Sequence, residues 1–188
     1  MDRIATAAGL TPGEVERLLY DLGNDGLVDL TPGPFGGWSL TDAGRADDDA
    51  WLARSLEEGD TRQEVQACYE RFLGLNPQLL DICSAWQMRT IGGTPTLNDH
   101  TDADYDAGVL TRLMRLDDEA QPLCVDLAGA LERYAVYGNR LKSALDRVIA
   151  GDHPYFADGL ESYHAVWFQL HEDLLTTLGI SREDERRG

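Results

Sequence analysis

The sequence predicts a mainly α protein in two parts. Residues 1–58 read as a small unit of helices with one hairpin, residues 59–180 as an all-α helical domain, and residues 181–188 as a polar tail. Two observations carry this. Apolar residues recur at three- and four-residue steps through most of the chain, which is the helical period. The strand-like pair Leu27–Leu30 and Trp38–Leu40 flanks the turn Thr31-Pro32-Gly33-Pro34-Phe35-Gly36-Gly37, whose composition excludes helix. With 43% hydrophobic side chains in 188 residues, there is enough apolar surface to bury a core.

Each element has its own warrant. Ile4, Ala5, Ala8 and Leu10 give a short first helix its apolar side. Thr11-Pro12-Gly13-Glu14 opens the second with a capping hydroxyl, Pro at the first helical position and Glu three residues after the cap. Val15, Leu18, Leu19 and Leu22 follow at helical spacing until Gly23 to Gly26 stop it. After the hairpin, residues 46–58 continue as a helix through Trp51, Leu52 and Leu56. The acidic run Asp47-Asp48-Asp49 falls in its first turn, where negative charge complements the helix dipole.

In the longer part, Val65, Cys68, Tyr69, Phe72 and Leu73 mark one helix. Asn76-Pro77 caps the next, which carries Leu79, Leu80, Cys83 and Trp86. Met88 to His100 reads as a loop containing Gly92-Gly93 and Pro95. Thr101 then starts a long helical stretch through Val109, Leu113 and Leu116, which Pro122 kinks or divides. Leu123, Leu127, Leu131, Tyr134 and Tyr137 continue to a turn at Gly138-Asn139, after which Leu141, Leu145 and Val148 form a further helix. A second loop spans Gly151 to Gly159, Leu160 to Leu178 is a final long helix, and the tail from Ser181 is expected to fray.

The succession L-T-P-G-E-V, L-L, D-G-L-V, a Gly/Pro hairpin and then W-S-L-T-D-A-G-R resembles the winged-helix domain of MarR-type regulators over about residues 3–58. The resemblance implies an N-terminal winged helix with a small two-stranded wing. It makes Glu14–Asn24 the recognition helix and Thr31–Gly37 the wing, and it brings the expectation of a homodimer, for which the final helix is the natural seam. In the longer part, L-N-P-x-L-L-x-x-C with W-Q, N-D-H-x-D-x-x-Y-D, and H-x-V-W-F-x-L-H-E-D-L-L are similar to a helical module attached to MarR-like proteins. Some of those proteins are linked to phosphoenolpyruvate-utilising enzymes.

Charge bears on partners. There are 16 basic and 34 acidic side chains, for a formal net charge of −18. Duplex DNA is bound largely by neutralising phosphates, which an acidic protein repels unless it segregates a basic face. Glu14, Glu16 and Asp21 accompany a single Arg17 in the expected recognition helix, and the wing carries no basic residue. Direct nucleic-acid binding is therefore not expected of this chain alone. No run of about 18 apolar residues is present for a membrane span. The opening Met1-Asp2-Arg3 lacks the layout of a signal peptide. Cys68, Cys83 and Cys124 stand far apart, without metal-ribbon or disulfide-framework spacing. A cytoplasmic location is the expectation.

Candidate chemistry centres on histidine. In the final helix Leu160, His164, Trp167, His171, Leu174 and Leu178 fall within about 40° of one line at the helical repeat. Two imidazoles in an apolar stripe need polar partners, supplied by the core itself, by a ligand or by an ion. A shared metal is disfavoured, because seven residues separate them by about 10.5 Å of rise. Asn98-Asp99-His100-Thr101-Asp102-Ala103-Asp104-Tyr105-Asp106 is a second cluster. Either it is an acidic helix start, or His100 beside Asp99 acts as a general base. It lacks the Gly and terminal Glu of an EF-hand loop. Trp86 and Gln87, beside the first loop, complete one expected pocket: His164, His171, Trp167, Trp86, Gln87, Asn98, Asp99, His100 and Asp104.

No P-loop, dinucleotide fingerprint, nucleophile elbow or zincin motif occurs, so no cofactor or metal is expected. Two functions remain open. One is a MarR-like regulator-type protein whose helical domain binds a small molecule or partner protein. The other is an enzyme, or an enzyme's accessory subunit, using a His164/His171 pocket on a repurposed winged-helix scaffold.

Overall fold

The computed structural model describes residues 2–33, 36–57 and 60–185. It is 74% helical with two small two-stranded antiparallel sheets, a mainly α fold as the apolar periodicity requires. Contacts divide the chain into two compact units, Met1–Asp60 and Thr61–Gly188.

The first unit comprises α1 (Asp2–Ala8), α2 (Pro12–Asn24), β1 (Val28–Thr31), β2 (Gly37–Leu40) and α3 (Asp42–Glu57). The capping box of α2 is complete. The Glu14 carboxylate accepts from the Thr11 backbone at 2.8 Å and from its hydroxyl at 2.6 Å, while Thr11 Oγ1 accepts from Glu14 N. These bonds to Thr11 hold the Glu14 carboxyl below its usual range. In the hairpin Val28 faces Leu40 and Thr31 faces Gly37. Of the expected turn, Pro34 and Phe35 lie outside the described residues. Ala5, Val15, Leu19 and Val28 form the small core, with Leu22 and Trp38 against it.

In the L-T-D-A-G-R segment Thr41, Gly44 and Arg45 each have a physical role. Thr41 Oγ1 accepts from Gly44 N at 3.0 Å and donates to the Gly26 carbonyl at 2.7 Å, so one hydroxyl caps α3 and ties it to the turn before β1. A Cβ on Gly44 would sit 2.0 Å from the Leu27 carbonyl oxygen, which no side chain tolerates. Arg45 donates to the Leu40 carbonyl and to Asp42. The helix therefore starts at Asp42 rather than residue 46, and Asp47–Asp49 lie in its second turn instead of its first.

The second unit is a ring of four helices. In it α4 (Thr61–Gln87) packs on α5 (Ala103–Ala130), α5 on α6 (Ala135–Ile149), α6 on α8 (Tyr163–Leu178), and α8 back on α4. A 3₁₀ turn, Glu132–Tyr134, joins α5 to α6, and the short α7 (Pro154–Ala157) packs on α6 and α8. Four sequence expectations are corrected here. Pro77 does not divide α4, nor Pro122 α5, because burial along both helices outweighs the roughly 3 kcal/mol that an interior proline costs. The segment Met88–His100 contains the hairpin β3 (Met88–Ile91) and β4 (Thr94–Leu97), turned by Gly92 and Gly93 at positive φ. Helix α5 is capped by Asp102, whose side chain accepts from Tyr105 N, not by Thr101. Gly138 lies within α6, which begins at Ala135.

Buried polar groups fasten the ring. Asp117 on α5 accepts from the Tyr163 hydroxyl and the Gln121 amide, each at 3.0 Å, and burial together with Asp117 raises the Tyr163 phenol well above its usual value. Asp173 on α8 accepts from Arg133 at 2.6 Å and Tyr137 at 2.9 Å. Burial pushes the Cys83 and Cys124 thiols up to about 12, so both remain protonated core residues. Among the described residues, no helix is long and apolar enough to cross a membrane.

Candidate functional site

The expected single pocket is not assembled. Its aromatic and imidazole rings other than His164 fall into two places along α4, one beside Phe72 and one beside Trp86. Fourteen residues separate those two positions, about 21 Å of helix.

The Phe72 place holds His171 and Trp167. Trp167 stacks on Phe72 at 4.6 Å, and its indole N–H donates to Asn76 Oδ1 at 3.0 Å. His171 is buried and fully occupied. Its Nδ1 lies 3.3 Å from Arg182, a donor, so Nδ1 accepts and Nε2 carries the proton, donating to Glu185 Oε1 at 2.5 Å. Tyr69 donates to the same carboxylate at 2.9 Å, and Arg182 also pairs with Glu172. Burial opposes the charge on Glu185, but the bonds from His171 and Tyr69 outweigh it and lower its pKa. Burial first, and then the Glu185 bond, raises Tyr69 to about 12.

These contacts overturn two expectations. The segment after Ser181 is not frayed throughout, because α9 (Arg182–Glu185) is clamped against α8; residues 186–188 lie outside the described residues. Leu160 is exposed and precedes α8, and His164 is half-buried rather than central. Helix α8 buries Val166, Trp167, Leu170, Leu174 and Leu178 in its own unit, so Leu160 and His164 fall outside an apolar stripe that is core.

The second place lies where α4 ends, β4 returns, and α5 and α7 begin. Trp86 is sandwiched, with Phe156 stacked on it at 4.3 Å and the His100 ring at 4.4 Å, while His153 meets its edge at 5.2 Å. Asn98 organises the polar side. Its backbone N–H bonds to the Gln87 carbonyl, and its Nδ2 donates to the Trp86 carbonyl at 3.1 Å and to Asp106 Oδ1 at 2.7 Å. Its Oδ1 accepts from His100 N, which turns the backbone sharply at His100. Among the described residues His100 is the one non-glycine in the left-handed region, at φ 57°.

Hydrogen-bond accounting assigns the His100 tautomer. Both protons of Asn98 Nδ2 are committed, so the 3.2 Å approach of that nitrogen to His100 Nδ1 is not a bond. Nδ1 therefore bears the proton and donates to Asp106 Oδ2 at 3.0 Å. The carboxylate is almost covered (11% exposed) while the imidazole is 27% exposed, and Nε2 retains its lone pair. A carboxylate that fixes the tautomer and ring plane is the arrangement used behind acid–base and metal-binding histidines alike.

The other expected residues stand at the margin. Gln87 contributes its backbone only. Asp99 does not meet His100; it accepts from Thr101 and Arg89, and the Thr101 bonds lower its pKa. Asp104 is an exposed residue of the first turn of α5. Asp106, His153 and Phe156 join the site without having been singled out. His-Pro before a four-residue helix carries no periodicity, and Asp106 is distinguished only by facing inward. Among the described residues no group of three or more His, Cys, Asp or Glu side chains is placed to hold a metal. An open groove of about 540 Å³ between α4 and α5 is lined by Arg71, Leu75, Gln78, Glu119 and Pro122 among others, and by no histidine.

No protein-family model, curated protein or solved structure matches the chain.

Proposed function

We propose that this is a MarR-like regulator-type protein whose helical unit binds a small ligand through the face presented by His100 and His153. The observation that carries the reading is the Asp106–His100 pair. Its imidazole is oriented by a buried carboxylate, seated on Trp86, partly exposed, and left with one nitrogen uncommitted among the described residues. Such pre-organisation is costly to maintain in a left-handed backbone and serves no packing need that a smaller residue would not meet. The N-terminal unit acts as a protein-facing scaffold. Its Glu14 is locked into a cap and its Arg17 stands among acids, so phosphate neutralisation has little support.

The test is a thermal-shift screen of a metabolite panel against the full chain and its His100→Ala variant. Compounds that stabilise the first and not the second support the reading. An absence of such compounds, or equal stabilisation of both, overturns it. A salt-sensitive, sub-micromolar duplex site in a gel-shift assay would overturn the statement about DNA. The resemblance also carries a homodimer, which light scattering checks against the 20.8 kDa chain mass.

The same dyad favours a second reading, an enzyme or accessory subunit in which His100 Nε2 takes a proton from a bound substrate. A bell-shaped or single-limb pH dependence of turnover, lost in Asp106→Asn, would decide for it.

A further inference from the structure

We propose that His100 and His153 together bind a first-row divalent cation of borderline softness, such as Zn²⁺ or Ni²⁺, as the ligand or part of the ligand of this site. The inference rests on the ligand-binding reading above. Three observations converge on it. First, the His100 and His153 ring centroids lie 5.0 Å apart with planes inclined at 56°. Two imidazoles sharing one zinc at the usual nitrogen distance of about 2.0–2.1 Å, near the tetrahedral angle, place their centroids about 5 Å apart.

Second, His100 Nδ1 donates to Asp106, so Nε2 has the lone pair that a cation needs, and the carboxylate fixes the tautomer and ring orientation. Third, the half-buried His153 ring makes no hydrogen bond among the described residues, although it stands beside the rings of Trp86 and His100. Trp86, itself stacked on Phe156, contacts both imidazoles and holds them beside one another.

Two protein nitrogens leave the remaining coordination positions to water or to donor atoms of a small molecule. The site is therefore open and exchangeable, unlike a closed structural zinc site with four protein ligands. Imidazole selects borderline cations over Mg²⁺ and Ca²⁺, which prefer oxygen.

The experiment is calorimetric titration of the EDTA-treated full chain with ZnCl₂ and NiCl₂, with MgCl₂ as control. The variants are His100→Ala, His153→Ala, Asp106→Asn and, as an off-site histidine, His164→Ala. The expected result is one saturable ion per chain for Zn²⁺ and Ni²⁺ and none for Mg²⁺. Saturable binding is lost in either alanine variant at the site, weakened about 10–100-fold in Asp106→Asn, and unchanged in His164→Ala. His153 is half-exposed and outside the Asn98 network, so His153→Ala keeps the fold and is the deciding variant even if Asp106→Asn does not.

Absence of saturable Zn²⁺ or Ni²⁺ binding, or binding that survives His153→Ala, overturns the proposal and leaves the two rings as a packing contact. If metal binding fails while metabolites still stabilise the wild type through His100, only the cation is wrong. If both fail, the ligand-binding reading falls with it.

Discussion

His171 and His100 sit in one helical unit, each near an aromatic of α4 and each hydrogen-bonded to a carboxylate, yet their surroundings differ in kind. Around His171 every polar valence is used: Arg182 on one nitrogen, Glu185 on the other, and Tyr69 on the same carboxylate. Around His100 one nitrogen is fixed by Asp106 and the other, on a partly exposed ring, has no hydrogen bond among the described residues. A closed network contributes stability and a fixed position for the chain end. A network closed on one side and open on the other contributes orientation, which is useful only if something arrives to use it.

The comparison is broken most severely at Trp86. Trp86→Ala removes a ring packed between Phe156 and His100, and is expected to cost about 3–5 kcal/mol in urea unfolding. It abolishes the His100 seat while leaving the Tyr69–Glu185–His171 bonds in place. If the variant retained wild-type stability, the seat would not be structural.

The next effect is at His171. His171→Leu deprives Glu185 of one donor in a covered position, for a loss of about 1–3 kcal/mol, with Zn²⁺ binding unaltered. Equal stability of the variant, or altered Zn²⁺ binding, would erase the contrast between the two histidines.

The α9 clamp also has two pH limits with definite signs. Glu185 is held below its ordinary value of 4.5, so its contribution is present above that pH and is lost as pH falls through the lower folded value. Tyr69 is raised from 10.0 to about 12, so its contribution is present below 10 and is lost as pH rises toward 12. Unfolding measured across both windows should show a loss at each end. Glu185→Gln flattens the acid limb and Tyr69→Phe the alkaline limb. Unchanged limbs in these variants would mean that the clamp does not contribute to stability.

The smallest effect is expected at His100 itself. His100→Gly relieves the left-handed backbone but takes one donor from the nearly covered Asp106 carboxylate, effects of about 1 kcal/mol each with opposite sign, so the net change should stay below about 1 kcal/mol. A loss of several kcal/mol would show His100 to be a packing residue like His171.

Much of this was legible before any coordinates. The α2 capping box follows from Thr11, Pro12 and Glu14 alone, since all its atoms lie within four residues. The β1–β2 hairpin follows from Gly and Pro between two short apolar runs. The β3–β4 hairpin was not legible, because Met88–Ile91 and Thr94–Leu97 are mostly exposed and lack the alternation that marks a half-buried strand. The unbroken course of α4 through Pro77 was also hidden, since the local cost of proline is visible in the sequence and the packing that outweighs it is not. Asn98 and His100 were recognisable as a polar cluster, but their partner Asp106 was one acid among four in that segment. What separates it is burial, which depends on where α5 lies against the end of α4.

What the sequence by itself determined are the interactions that close within a few residues: the helical period, the caps, the turns, the acidity of the N-terminal unit, and the presence of histidines that need partners. Which partner each histidine received was decided only by the tertiary structure. His171 and Glu185 are fourteen residues apart, and their meeting depends on the chain reversing after α8 at Gly179, in the left-handed conformation, so that α9 folds back. His100 and His153 meet across more than fifty residues because α5 and α6 run out from that end of the ring and back, and α7 returns His153 to Trp86. A hydrogen bond or a shared ligand needs atoms within a few ångströms, and no local pattern constrains distances across that much chain.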